Sequence, residues 1–70
     1  MAYYPRLKEL RLSYELTQKN IARLLHITQQ QYSNYENGHN DLPISSLIFL
    51  ADFYCVSIEY ILGRSNDPSL

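Results

Sequence analysis

Between Gln29 and Asn34 the chain carries three glutamines, a serine and an asparagine, and no charge. A solvated helix face ordinarily carries Lys and Glu, which pair at i,i+4. Primary amides suit a different task. A Gln or Asn side chain offers a donor and an acceptor together, the pattern that bonds adenine N6 and N7 from the major groove. The plainer reading is a polar face that simply lacks charge. Gln18 is a second candidate: at a helix start, its amide and the free backbone N–H groups suit a phosphate oxygen. Its plainer reading is a solvent-facing terminal residue. Arg11 and Glu36 form a third set. Arg11 lies i+4 from Leu7, on an apolar side, where an arginine needs a partner. Glu36 is the acid at the end of the amide-rich segment, and a bidentate pair would tie the two segments together.

Other chemistries lack their residues. There is no Gly-rich phosphate loop, carboxylate dyad or nucleophile–base–acid set, so the chain reads as a non-enzyme without a small-molecule substrate. Cys55, followed by Val56 in an apolar stretch, reads as a buried, inert thiol. One cysteine and two histidines exclude an internal disulfide and make a poor metal set, and no cofactor is implied. No apolar run approaches the roughly 18 residues that cross a bilayer. No apolar h-region follows Met1–Arg6. With no disulfide, these features predict a cytoplasmic protein.

The elements that must position the amides are helices. Pro5 suits a first turn, and Leu7, Leu10 and Tyr14 form one apolar stripe. Thr17 caps a second helix with Ile21, Leu24 and Leu25 as its core face and Ala22 as a small residue beside it. After the short break His26-Ile27, Thr28 caps a third helix, with Thr28-x-x-Gln31 as a capping box. Tyr32 and Tyr35 face inward, and Gly38 ends it as a left-handed cap. Pro43 opens a fourth helix with Ile44, Leu47, Ile48, Leu50, Ala51 and Tyr54 as its apolar residues. Ser57 caps a short fifth with Glu59 in its first turn, and Gly63 stops it. No strand pattern is present. The expectation is all-α: five short helices in one domain over residues 1–63, with 64–70 as a tail. Helices two and three, joined by about three residues, have the helix-turn-helix pattern. Ala22 must be small there because the next helix crosses close to it.

Charge is split. Arg6, Lys8, Arg11, Lys19 and Arg23 against Glu9 and Glu15 give +3 over residues 1–35. Arg64 against Glu36, Asp41, Asp52, Glu59 and Asp67 gives −4 over 36–70, for a net of −1. Either the first half faces an anion, or the split is surface scatter in a short chain.

The run Leu16-Thr17-Gln18, Ile21-Ala22, Leu24 to Gln29 and Tyr35-Glu36-Asn37-Gly38 resembles the Cro/phage-repressor, or XRE, helix-turn-helix family. Leu50 to Gly63 resembles that family's last two helices. The resemblance covers roughly residues 6–63 and implies a lambda-repressor-like domain that binds double-stranded DNA as a transcriptional regulator, commonly a repressor and a homodimer. By position it makes Gln29, Gln30 and Asn34 base readers. Gln18, Thr28, Ser33 and Asn37 become phosphate contacts, and Arg11–Glu36 the structural ion pair. Tyr60 lies near the implied dimer seam, where Leu42, Ile58 and Ile61 are further apolar candidates. Two departures stand out. His26 replaces the family's frequent turn glycine, which predicts a left-handed histidine. The loop His39-Asn40-Asp41-Leu42, often basic in the family, carries an acid here and predicts a weak electrostatic grip. Seventy residues leave no room for a second domain. The alternative is a protein-interaction module of the same fold, antitoxin-like or an anti-regulator, which the acidic second half and seven tyrosines favour.

Overall fold

A computed structural model describes residues 4–70; the reading of Met1 to Tyr3 lies outside them. The described chain forms five helices and no strand: α1 (Pro5–Ser13), α2 (Gln18–Leu25), α3 (Gln29–Glu36), α4 (Ile44–Tyr54) and α5 (Ile58–Ile61). The all-α expectation holds.

Local chemistry explains the starts. Pro5 occupies the first turn of α1, where its missing N–H costs nothing. Thr17 caps α2 and Thr28 caps α3, each hydroxyl accepting the N–H of the third helical residue at 3.1 Å. Both boxes close reciprocally, through Asn20 and Gln31. Ser57 caps α5 in the same way.

The helix ends share one device. After α1 to α5 in turn, Glu15, His26, Gly38, Cys55 and Gly63 all take positive φ, between 57° and 78°. The next residue's N–H then bonds back across the last turn: Leu16 to Arg11, Ile27 to Ala22, His39 to Asn34, Val56 to Ala51 and Arg64 to Glu59, at 2.8–3.0 Å. This is the closure that satisfies otherwise orphaned carbonyls. At Gly63 a second constraint acts, since an added Cβ would meet the Pro5 ring at 2.9 Å.

The core is built from Leu7, Ile21, Ala22, Tyr32, Leu47, Leu50, Ala51, Tyr54, Val56 and Ile61, with Tyr4 and Leu42 at its edge. The helices pack as α2 on α3, with α1 against both α3 and α5, and α5 against α4. Tyr4, which the apolar spacing does not mark, is buried, and its hydroxyl accepts the Leu42 N–H at 2.8 Å. That bond ties the loop after α3 to the start of α1. Residues 64–70 fold back on the body: Ser57 N–H bonds the Pro68 carbonyl at 3.0 Å, and Arg6 Nη2 bonds Asn66 Oδ1 at 2.9 Å.

Four expectations are corrected. Cys55 is exposed, because it occupies the left-handed end of α4 and the buried side chain falls to Val56. Tyr14 lies just past α1, 46% exposed; its hydroxyl donates to the Tyr54 carbonyl. Leu24 is exposed. At about 100° per residue, Ile21, Ala22 and Leu25 share one face of α2 and Leu24 falls about 60° outside it. Leu42 and Ile61, candidates for a dimer seam, are 5% and 0% exposed. The domain's own core consumes them, so they have no surface to offer a partner.

Candidate nucleic-acid interface

The structure packs α2 against α3, separated by His26, Ile27 and Thr28. His26 makes the sharp turn with φ 59°, as expected for a residue in the glycine position. Ile27 is half-buried and packs on the core beneath the turn.

On α3, at about 100° per residue, Gln29, Gln30, Ser33, Asn34 and the capping Asn37 fall within about 140° of arc. Tyr32 and Tyr35 project to the opposite side. Tyr32 is fully buried, while Gln29 and Gln30 are exposed and Asn34 is half-buried. Two rungs stiffen the outward face: Gln30 Nε2 donates to Asn34 Oδ1 at 3.1 Å, and Asn37 Nδ2 donates to Ser33 Oγ at 3.2 Å. Gln31 is withdrawn from this row by capping, its Oε1 accepting the Thr28 N–H. The expected base readers are thus brought together, with Thr28 at the helix start and Ser33 and Asn37 falling between Gln29 and Asn34 on the same arc.

Beneath the row lies the ion pair. Arg11 Nε and Nη2 donate to Glu36 Oε2 and Oε1 at 2.8 and 3.1 Å, and Arg11 Nη1 donates to the Leu16 carbonyl at 2.9 Å. Arg11 is 7% and Glu36 6% exposed. The bidentate geometry links α1 to the end of α3 and fixes its tilt. Gln18 adds to it, donating from Nε2 to Glu36 Oε1 at 3.2 Å. Gln18 is half-buried, and one amide proton remains for an external acceptor. The amide also locks the start of α2 onto α3. Burial by itself raises the Glu36 carboxyl; Arg11, the neighbouring Tyr32 hydroxyl and Gln18 outweigh that and hold it below its ordinary value. The bond to Glu36 raises Arg11. The pair is therefore fully charged at neutral pH.

Charge on this side is decided by that compensation. Between Leu16 and Asn40 the formally charged residues are Lys19, Arg23 and Glu36. With Glu36 buried against Arg11, the exposed formal charges of the segment are both positive, although the whole chain carries −1. The charge split counts Lys19 and Arg23 among the basic residues of the first half without singling them out. The fold sets both beside Gln29. Of the remaining seam candidates, Ile58 and Tyr60 are half-buried on α5, and the Arg6 guanidinium sits over the Tyr60 ring at 4.7 Å.

A helix-turn-helix family model matches residues 7–61, which span all of this architecture except the opening of α1. The chain belongs to the XRE-type helix-turn-helix family. Three regulators of Bacillus subtilis (strain 168) are similar to this XRE-type chain. The uncharacterized HTH-type transcriptional regulator YobD is 38% identical over 66 residues, 94% of this chain and 59% of that protein. The HTH-type transcriptional regulator ImmR is 39% identical over 66 residues, covering 94% of this chain and 52% of that protein. The HTH-type transcriptional regulator AnsR is 33% identical over 61 residues, covering 87% and 53%. The chain spans between about half and three-fifths of the length of these relatives. No solved structure gives a match. No helix among the described residues is long and apolar enough to cross a membrane.

Proposed function

We propose that this XRE-type domain is a sequence-specific DNA-binding transcriptional regulator that reads the major groove with α3. The carrying observation is the uncharged row Gln29, Gln30 and Asn34, projected from a helix whose tilt is fixed by the buried Arg11–Glu36 pair. Bidentate amides at such positions discriminate bases by about 1–3 kcal/mol each. Gln18, Thr28, Ser33 and Asn37 position the helix on phosphates, which fix register without carrying sequence. The printed names of the relatives, all transcriptional regulators, support the reading.

One α3 reads only a few base pairs, so the functional unit is a homodimer whose half-sites lie about 34 Å apart. Ile58 and Tyr60 on α5 are its seam residues, and the regulator acts as a repressor by occupying its site. A reader of duplex DNA works where the duplex is, in the cytoplasm. The test is selection of bound duplexes from a random pool at low and then higher salt. Enrichment of a two-fold symmetric motif is the expected result; folded protein that enriches nothing at any salt refutes the reading.

A second reading has one observation behind it. Ile44, Ile48 and Phe49 stand exposed on α4, a face that suits a protein-interaction module of the same fold. That module would show no salt-dependent affinity for any duplex, whereas phosphate contacts weaken steeply with salt.

A further inference from the structure

We propose that Lys19 and Arg23 hold a phosphate of the DNA backbone in the cleft between α2 and the start of α3. The inference rests on the DNA-reading assignment above. It goes further by naming a phosphate site built from residues other than Gln18, Thr28, Ser33 and Asn37.

The cleft is open, about 290 Å³ in volume, and lined by Lys19, Ala22, Arg23, Ile27 and Gln29. Lys19 and Arg23 are i,i+4 on α2, so their side chains lie on one face a single turn apart. Both are exposed, and neither joins an ion pair among the described residues. The ion pairs are elsewhere: Arg6 with Glu9, Arg11 with Glu36 and Arg64 with Glu59. Two like charges one turn apart on a helix are unfavourable by a few tenths of a kcal/mol, and an anion between them reverses the sign of that interaction.

The cleft also has the shape for a sugar–phosphate unit. Its floor is apolar, formed by buried Ala22 and half-buried Ile27, against which a deoxyribose can rest. Its rim is Gln29, the first residue of α3. A phosphate held there therefore belongs to the stretch of backbone that borders the base edge facing Gln29. The acid within the α2–α3 unit, Glu36, is turned inward and paired with Arg11, so its charge does not oppose an anion in the cleft. The grip that the acidic loop after α3 does not supply is moved to the opposite end of α3.

Phosphate contacts are sequence-independent, so the test needs no known operator. The full chain is titrated into a mixed-sequence duplex several helical turns long, by fluorescence anisotropy, across about 50 to 200 mM salt. Each contact contributes about 0.9 to the slope of log K against log salt. Lys19→Ala and Arg23→Ala should each flatten the slope by about 0.9, and the double variant by about 1.8. Over that fourfold rise in salt the wild type then loses about 12-fold more affinity than the double variant. Lys19→Arg should keep the wild-type slope. Arg64→Ala, a loss of equal charge beyond α5, should keep it as well. Wild-type slope in the double variant overturns this inference alone. An equal flattening by Arg64→Ala also overturns it, since net charge then explains the effect. Folded wild type that binds no duplex at low salt overturns the DNA reading, and this inference with it.

Discussion

Removing either member of the buried ion pair should cost most of the domain's stability, and removing both should restore it. A chain of 70 residues has a folding free energy on the order of 4–10 kcal/mol. Glu36→Leu strands the buried Arg11, with two of its three hydrogen bonds gone and only the Leu16 carbonyl retained. Arg11→Met leaves the Glu36 carboxylate buried, with Gln18 as its remaining donor. A buried charge deprived of its partner costs about 3–5 kcal/mol. In the double variant Arg11→Met/Glu36→Leu, apolar groups fill the space and no charge is stranded, which is often neutral or stabilising. The lost bond to the Leu16 carbonyl offsets about 1 kcal/mol of that gain. Urea unfolding followed by circular dichroism, with a common slope across the four proteins, gives the cycle. The expected coupling is about 3 kcal/mol or more, in favour of the double variant. Single variants that lose less than about 1 kcal/mol would falsify the account, as would a double variant as unstable as the two losses added. A pH arm sharpens it. The folded Glu36 carboxyl titrates below the ordinary value of 4.5, so the unfolded chain binds that proton first as pH falls. Its contribution is therefore present in full above about that value and drains as pH drops through the folded one. The double variant should lose less stability than the wild type over the same acid range.

Gln30→Ala should change base preference, and at adjacent positions, because it also releases Asn34 from their shared hydrogen bond. Gln18→Ala should weaken binding to every sequence alike; selection profiles of the two variants on one duplex pool separate these outcomes, and matching profiles sink the division of labour. Among the described residues the buried Tyr54 hydroxyl has no hydrogen-bond partner, and burial, followed by the nearby Glu36 charge, pushes it up to about 12. The unfolded phenol ionises near the ordinary 10 while the folded one stays neutral, so stability should fall as pH rises through that interval. Alkaline melts should show this loss reduced in Tyr54→Phe, whose stability at neutral pH should equal or exceed the wild type's. His26→Gly should raise the thermal midpoint, by relieving a left-handed residue that costs about 1 kcal/mol. No gain in a calorimetric scan would mean that the histidine side chain compensates for the strain.

Local signals in the sequence specified this protein's elements. Thr17, Thr28 and Ser57 announce three helix starts because a hydroxyl can cap an N–H only from that position, and Gly38 announces an end because left-handed backbone is easiest for glycine. The amide row on α3 was legible for the same reason, since its chemistry depends on residue type and helical period alone. The Arg11–Glu36 pair was legible because a charge on an apolar face demands a partner. Tertiary structure decided what burial did to the rest. Leu42 and Ile61 look like surface apolar groups until tertiary packing encloses both in the core. Cys55, expected to be buried, is exposed beside buried Val56 because a left-handed residue aims its side chain away from the helix it closes. Gln18 gained a partner 18 residues distant. The positive face of an acidic chain exists only because Glu36 is folded inward against Arg11. Type and period are local properties that a sequence states directly; which face is covered, and which charge is cancelled, depends on residues far apart in the chain meeting in space.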